Sequence, residues 1–157
     1  MIILGLDPGI ARTGFGVVDT SRSNYFVRCG VLTTPAGEAV EDRLATIGGD
    51  LQKIIATYKP EEALVEQIFF GANRKTAIVT AQTRGVLLYV LRTHGIMVHS
   101  LTPLQIKSRL TGQGRATKHQ VQMVLMKRLH LTSPPEPDDA ADALAAAVCL
   151  ADSHAHL

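Results

Sequence analysis

The sequence predicts an α/β fold in which a five-stranded mixed sheet is flanked by helices. Three segments with the pattern of antiparallel strands come first, and strand and helix patterns then alternate to the end of the chain. Hydrophobic residues make up 46% of the 157 residues, and no apolar run approaches the ~20 residues of a membrane span. We therefore expect one domain over residues 1–157, without membrane contact, whose last few residues form a flexible tail.

The first strand, Ile2 to Asp7, is an apolar run that ends on a carboxylate and is followed at once by Pro8 and Gly9. Apolar residues at four of the five positions before Asp7 are typical of a central strand that is buried on both faces. At this point Asp7 has two interpretations of equal weight. It caps the Pro-Gly turn, or it belongs to a functional site.

The other elements follow from periodicity and from the positions of Gly and Pro. Two more strands complete a three-strand antiparallel meander, and the fourth and fifth strands should run parallel to the first. Gly14 and Gly16 leave one face of the second strand bare, so that a helix or a ligand can approach closely. The predicted segments are strands 13–19, 24–34, 62–67 and 96–100, and helices 38–58, 73–93, 103–110, 118–130 and 138–151.

A second carboxylate stands in the same setting as Asp7. Glu66 ends the apolar run Ala63 to Val65. In an open α/β sheet the carboxyl ends of parallel strands lie together, and ligands usually bind there. Two buried strands that both end in acids therefore indicate one metal or acid/base site at that edge of the sheet.

The last predicted helix begins with three more acids. Asp139 and Asp142 are three residues apart and Asp138 and Asp142 four apart, so either pair shares a helical face. Asp138, directly after Pro137, is predicted to be the N-cap. A simple interaction with the positive end of the helix dipole is the alternative interpretation of these acids. That alternative is weak for Asp142, which lies one turn into the helix between alanines that allow close packing on the sheet.

Charge is distributed unevenly, although the formal net charge is only +2. The 69 residues from Gln67 to Pro135 contain no Asp or Glu but ten Lys or Arg residues. Soluble surfaces normally mix both signs, so this acid-free interval predicts a surface for a polyanion, and nucleic acid is the expected one. Its basic residues are Arg74, Lys75, Arg84, Arg92, Lys107, Arg109, Arg115, Lys118, Lys127 and Arg128.

Cys29 and Cys149 lie in apolar segments far apart in the sequence, which predicts buried free thiols in a reducing cytosol and hence a cytoplasmic protein. Ala77, Ala81 and Gly85 form a ridge of small residues at four-residue spacing on the second helix. This ridge packs either against the sheet or against a second subunit.

Four segments, taken together, resemble the RuvC family of crossover junction endodeoxyribonucleases, the Holliday junction resolvases. They are IILGLDPGIARTGFGVV, VEQIFFGANRKTA, QIKSRLTGQGRATKHQVQ and DDAADALAAA, and they cover nearly the whole chain. The resemblance implies a ribonuclease H-like fold, a homodimer, and magnesium-dependent paired nicking of four-way DNA junctions in recombination and repair. It also implies the branch-migration proteins RuvA and RuvB as partners.

The acidic tetrad of that family falls on Asp7, Glu66, Asp139 and Asp142, which are expected to be both the catalytic residues and the metal ligands. The three-residue spacing to Asp142 favours Asp139 over the neighbouring Asp138 as the third acid. Two Mg²⁺ ions per site are expected because phosphodiester hydrolysis needs an activated water and a stabilised leaving oxygen. Four carboxylates without Cys or His suit Mg²⁺, and Mn²⁺ is expected to substitute for it.

The resemblance also implies residues that bind DNA. Lys107 and Lys118 fall on the two functional lysines of the family. Phe69 falls on the aromatic residue that is thought to stack on junction bases. Arg74, Lys75 and Arg115, which belong to the acid-free interval, complete the predicted DNA-binding set.

Two other classes of function stay open at this point. A non-catalytic junction-binding module would use the same basic surface, and only metal-dependent nicking separates it from a nuclease. An actin-like or sugar-kinase ATP-binding domain also places an Asp and a Gly after its first strand. Those proteins normally combine two such domains, whereas this chain supplies one.

Overall fold

The computed structural model describes residues 1–68 and 74–155, without the side chains at 74, 75 and 155. Within these ranges every predicted element is present, and its ends differ from the predicted ones by at most four residues. The elements are β1 (Ile2–Asp7), β2 (Arg12–Asp19), β3 (Phe26–Thr33), α1 (Val40–Tyr58), β4 (Glu62–Glu66), α2 (Arg74–Thr93), β5 (Met97–Leu101), α3 (Pro103–Thr111), α4 (Lys118–Leu129) and α5 (Asp138–Ala155).

The five strands form one sheet in the order β3-β2-β1-β4-β5, with β1 in the centre. The pairs β1–β2 and β2–β3 are antiparallel, whereas β1–β4 and β4–β5 are parallel. The predicted mixed sheet, a meander followed by parallel strands, is therefore confirmed. Leu6 pairs with Val65 in the parallel register, so the residues that follow them, Asp7 and Glu66, end neighbouring strands at the same edge.

Helices cover both faces of the sheet. On one face, α3, α4 and α5 enclose a core that includes Ile3 of β1 and Leu64 of β4. The buried residues of this core are almost completely inaccessible to solvent. On the other face α1 and α2 enclose a second core that includes Leu4 of β1 and Val65 of β4. Successive residues of a strand point to opposite faces, so this division shows which face each β1 and β4 side chain occupies.

Three glycines allow α5 to lie directly on the sheet. A Cβ atom at Gly5 would come within 2.0 Å of the Ala143 carbonyl oxygen, and a Cβ at Gly14 within 1.9 Å of the Asp139 carbonyl oxygen. A Cβ at Gly16 would lie 2.4 Å from the Cα of Leu144. The close approach predicted at Gly14 and Gly16 is therefore confirmed, and the neighbour is α5.

The helix α5 begins at residue 138 as predicted, but the role of Asp138 and the end of the helix differ from the prediction. Asp138 is the first residue of the helix rather than its N-cap, so that prediction was wrong. The carboxylate of Asp138 instead accepts a hydrogen bond from Lys118 Nζ at 2.7 Å. The helix also continues to Ala155, past the predicted end at residue 151, and His154 in its last turn lies 3.1 Å from Glu62 Oε2.

Cys149 is buried and Cys29 is half-buried, and both are free thiols. The prediction of buried thiols therefore holds for Cys149 and only in part for Cys29. Across residues 1–68 and 74–155, no helix combines the length and the apolar composition needed to cross a membrane.

Candidate active site

Asp7 and Glu66 project toward α5 from the ends of adjacent parallel strands. Gly5, two residues before Asp7, faces the backbone of α5, and Leu64, two residues before Glu66, belongs to the core beneath α5. Side chains two apart on a strand share a face, so both carboxylates lie on the α5 side of the sheet. Asp7 also pairs with Gly14 of β2, the residue on which the first turn of α5 rests.

The two carboxylates occupy an environment that opposes their ionisation. Burial, followed by the negative charges of Asp142 and Asp139, raises the pKa of Asp7 to about 7. Burial, followed by the charges of Asp7 and Asp142, raises the pKa of Glu66 to about 8. Strongly raised pKa values that arise from burial and clustered like charges are typical of functional sites.

Asp142 faces Glu66 across a small cleft that also contains two lysines. The cleft has a volume of about 90 Å³ and is lined by Glu66, Lys107, Lys118, Asp142 and four apolar or proline residues. Burial raises the pKa of Asp142, and the positive charges of Lys118 and Lys107 oppose this rise. Two of the predicted acids and the two predicted lysines are therefore brought together in one cleft.

Asp139 lies in the adjoining, wider cleft and has a cationic partner. Its Oδ2 is 3.2 Å from Nε of Arg12. That cleft has a volume of about 580 Å³ and is lined by Arg12, Gln122, Glu136, Pro137, Asp138 and Asp139. Asp139 is close enough to Asp7 to raise its pKa, but its carboxylate is engaged by Arg12 rather than turned into the cleft with Asp142.

The donor chemistry of these acids fits a hard divalent cation. All four offer only carboxylate oxygens, and a bound cation would relieve the mutual repulsion that raises the pKa values of Asp7 and Glu66. In the part of the chain that the structure describes, no three Asp, Glu, His or Cys side chains converge closely enough to surround one ion. Ligation would therefore require side-chain rotation, above all release of Asp139 from Arg12.

The acid-free interval provides fewer free charges than its composition indicates. Arg84 Nε donates to the Glu66 carbonyl oxygen at 3.1 Å, and Arg92 Nη1 donates to the Ile96 carbonyl oxygen at 2.9 Å. Lys118 pairs with Asp138 at 2.7 Å, and Arg128 pairs with Asp152. The hydrogen bond from Lys118 to Asp138 raises the pKa of that lysine, so it stays protonated.

Lys107, Arg115 and Lys127 have no carboxylate within ion-pair distance among residues 1–68 and 74–155. Lys107 is half-buried in the cleft, and Arg115 is exposed in the segment between α3 and α4. Phe69 lies outside the described residues, as do the side chains of Arg74 and Lys75, and the predicted DNA contacts of all three stay predictions.

Sequence reasoning did not place two cations near the site: Arg12, which it did not single out, and Arg84, which it named only as a basic residue of the acid-free interval. The tight turn after Asp7 brings β2 back alongside β1, and Gly14 of β2 pairs with Asp7. Arg12 lies two residues before Gly14, so it could have been proposed as a neighbour of the acids. No signal of this kind exists for Arg84, whose position depends on how α2 packs on the sheet.

Comparisons with known proteins place this architecture among junction nucleases. The family model described as crossover junction endodeoxyribonuclease RuvC matches residues 3–150. The crossover junction endodeoxyribonuclease RuvC of Alkaliphilus oremlandii is 42% identical over 157 residues, which cover 99% of this chain and 93% of that protein.

Two solved structures are similar over nearly the whole chain. The Thermus thermophilus RuvC structure has a TM-score of 0.89 at 28% identity, and the match covers 99% of this chain and 97% of that one. The T. thermophilus RuvC in complex with Holliday junction substrate has a TM-score of 0.87 at 27% identity, with 99% and 96% of the two chains covered.

Proposed function

Because the chain belongs to the RuvC family of crossover junction endodeoxyribonucleases, we propose that it resolves four-way DNA junctions by hydrolysing one phosphodiester bond in each of two strands. Its fold is ribonuclease H-like, as the resemblance implied. The observation that supports the proposal most directly is the group of buried acids at the carboxyl ends of β1 and β4, with Lys107 and Lys118 beside them. A T. thermophilus relative of this fold is known in complex with a Holliday junction.

The acids Asp7, Glu66, Asp139 and Asp142 would hold two Mg²⁺ ions, for which Mn²⁺ would substitute. When bound, such a pair supplies an activated water and stabilises the leaving oxygen of the phosphodiester. Asp7, on the central strand next to both Glu66 and the start of α5, is the natural shared ligand.

Lys107 and Lys118 are proposed to hold the scissile phosphate. Both line the cleft that Glu66 and Asp142 share, so that a phosphate bound there would lie between positive and negative side chains. Lys118 is paired with the exposed Asp138, and exchange of that partner for a phosphate costs little because a surface ion pair is weak. Arg115, Arg74 and Lys75 would contact the DNA backbone, and Phe69 would stack on an opened base.

Paired cutting of two strands requires two active sites, and we propose that a homodimer supplies them. On α2 the residues Ala81 and Gly85 are exposed, and the large side chains of Ile78 and Tyr89 are 60% and 69% exposed beside them. Ala77 is buried within the subunit, so only part of the predicted ridge is available to a second copy. RuvA and RuvB remain the proposed partners that deliver the junction in the cytoplasm.

The test is cleavage of a synthetic four-way junction labelled on each strand in turn, with and without Mg²⁺. We expect two symmetrically placed nicks that require the ion, and no cutting of a duplex with the same sequence. Asp7→Asn, Glu66→Gln and Asp142→Asn should abolish cutting and leave junction binding intact, because binding depends on the basic residues.

Asp139→Asn and Asp138→Asn form the matched pair for the third acid. Asp139→Asn should be inactive, whereas Asp138→Asn should keep most activity because Asp138 forms an exposed ion pair with Lys118 at the surface. Junction binding without nicking under every metal condition would identify the non-catalytic binding module instead.

A further inference from the structure

Arg84 of α2 reaches the end of the strand that bears Glu66. Its Nε donates to the backbone carbonyl oxygen of Glu66 at 3.1 Å, and its Nη2 donates to Oγ of Ser100 at 2.7 Å. Ser100 pairs with Val65 in the parallel register between β4 and β5. One guanidinium group therefore joins the carboxyl ends of two adjacent strands, and it does so at the residue whose side chain belongs to the candidate site.

Arg84 approaches Glu66 from the opposite face of the sheet. Its helix packs on the side that buries Leu87 and Leu91 together with Val65, whereas the Glu66 carboxylate lies on the α5 side. Arg84 thus holds the backbone of Glu66 and not its carboxylate. It cannot touch DNA or metal in the cleft without crossing the sheet, so any effect on the chemistry must pass through the position of Glu66.

The surroundings of Arg84 show that its two bonds matter. Partial burial lowers the pKa of its guanidinium, and among residues 1–68 and 74–155 no carboxylate lies within ion-pair distance of it. A partly desolvated cation without a counter-ion is costly, and the carbonyl and hydroxyl acceptors are what compensate it. The planar fork of arginine suits two acceptors at fixed spacing in a way that the single ammonium of lysine does not.

We propose that Arg84 is a positioning residue for the nuclease reaction, one that fixes the end of β4 and thereby holds the Glu66 carboxylate at its working distance from Asp7 and Asp142. The inference rests on the proposed function and adds to it a residue outside the acidic tetrad and outside the DNA-binding set. A displacement of about 1 Å in a catalytic group can reduce a rate by about a hundredfold, so the predicted effect is on turnover and not on binding.

Arg92 provides a matched control on the same helix. It is also an arginine that donates to a backbone carbonyl oxygen, that of Ile96 at 2.9 Å, but this contact lies at the amino end of β5, away from the acids. Arg84→Ala and Arg92→Ala remove the same side chain and a similar hydrogen bond from α2. The difference in cleavage rate between the two variants therefore measures the effect of losing the hydrogen bond next to the candidate site.

The experiment measures single-turnover cleavage of the labelled four-way junction, junction affinity in Ca²⁺, and the denaturant midpoint for wild type, Arg84→Ala, Arg84→Lys, Ser100→Ala and Arg92→Ala. We expect Arg84→Ala to cut at least about tenfold more slowly at saturating protein, with affinity within about twofold of wild type. Arg84→Lys and Ser100→Ala should show smaller losses, because each keeps one of the two bonds. Arg92→Ala should cut at nearly the wild-type rate.

A readout independent of activity is amide hydrogen exchange. Arg84→Ala should speed exchange in residues 63–67 and 98–101 relative to wild type, and Arg92→Ala should not. The proposal is overturned if Arg84→Ala cuts as fast as Arg92→Ala, or if its loss of rate matches a loss of junction binding. If Arg84→Ala fails to fold, equal cutting by Ser100→Ala, Arg84→Lys and wild type overturns it as well. Failure of wild type to cut would instead refute the proposed function.

Discussion

Replacement of Asp7 by Asn should stabilise the metal-free protein while it abolishes cleavage. Asn has nearly the same shape as Asp but carries no charge, so the substitution removes the group that burial and the neighbouring acids oppose. The pKa of Asp7 rises from 3.8 to about 7 in the folded state. Such a carboxyl binds its proton more tightly when folded, which means that ionised Asp7 destabilises the fold.

The sign and the size of the effect follow from this linkage. The folded state holds more protons than the unfolded state between about pH 4 and about pH 7, so the stability of the wild type falls as the pH rises through that window. Because the pKa of Glu66 is raised to about 8, the stability of the wild type continues to fall up to about that pH. The rise at Asp7 corresponds to roughly 4 kcal/mol, and we expect Asp7→Asn to gain about 2–4 kcal/mol near pH 9.

The assay is denaturant unfolding in EDTA near pH 4 and near pH 9 for wild type, Asp7→Asn and Asp138→Asn. The gain of Asp7→Asn should appear near pH 9 and largely vanish near pH 4, where Asp7 is protonated when folded. The exposed Asp138 is the control, and Asp138→Asn should show no such gain. A stability change that is the same at both pH values, or a loss near pH 9, would refute the reasoning. Mg²⁺ should stabilise wild type more than Asp7→Asn, because only the former keeps the full ligand set.

Three further predictions test the fold, the DNA surface and junction recognition. Gly14→Ala should lower the free energy of unfolding by about 2 kcal/mol or more and lower the cleavage rate, because its Cβ would overlap the α5 backbone. Gly49→Ala, whose Cβ would have open space around it, should leave the free energy of unfolding unchanged or raise it in the same assay. Junction affinity should fall steeply with salt in a filter-binding titration, and Lys107→Ala should lower the cleavage rate; an affinity independent of salt would contradict a phosphate-binding surface. Phe69→Ala should abolish the fluorescence change of a base analogue at the crossover, and Phe69→Trp should retain it; a signal unchanged by Phe69→Ala would exclude stacking.

The sequence predicted the elements well because their signals are local. Alternation and apolar runs mark the strands, and the apolar stripe of α1 and the Gly and Pro positions mark the helices, so their ends were found within four residues. The edge at which Asp7 and Glu66 meet was also predictable, since parallel strands that end in acids must share an edge. Both inferences need only residues that are neighbours in the sequence or in the sheet.

Contacts that depend on helix packing could not be predicted. Arg84 reaches the Glu66 carbonyl oxygen only because α2 crosses the sheet at a particular angle, and no periodicity encodes that angle. For the ten basic residues of the acid-free interval, the sequence likewise could not predict which of them form contacts within the protein. Composition cannot distinguish Lys107, which stays free of carboxylates in the described structure, from Arg92, which donates to a backbone carbonyl oxygen.

The choice between Asp138 and Asp139 shows how local and tertiary information combine. Spacing alone does not decide between them, because residues three and four positions before Asp142 both share its helical face. The structure separates the two acids by their partners, since Asp138 pairs with Lys118 and Asp139 with Arg12. What brings Asp139 near Asp7 is Gly14, since any side chain there would push the first turn of α5 off β2. The proposed assignment of the third acid thus depends as much on a glycine in the second strand as on the acids themselves, and in the described structure Arg12 occupies that acid.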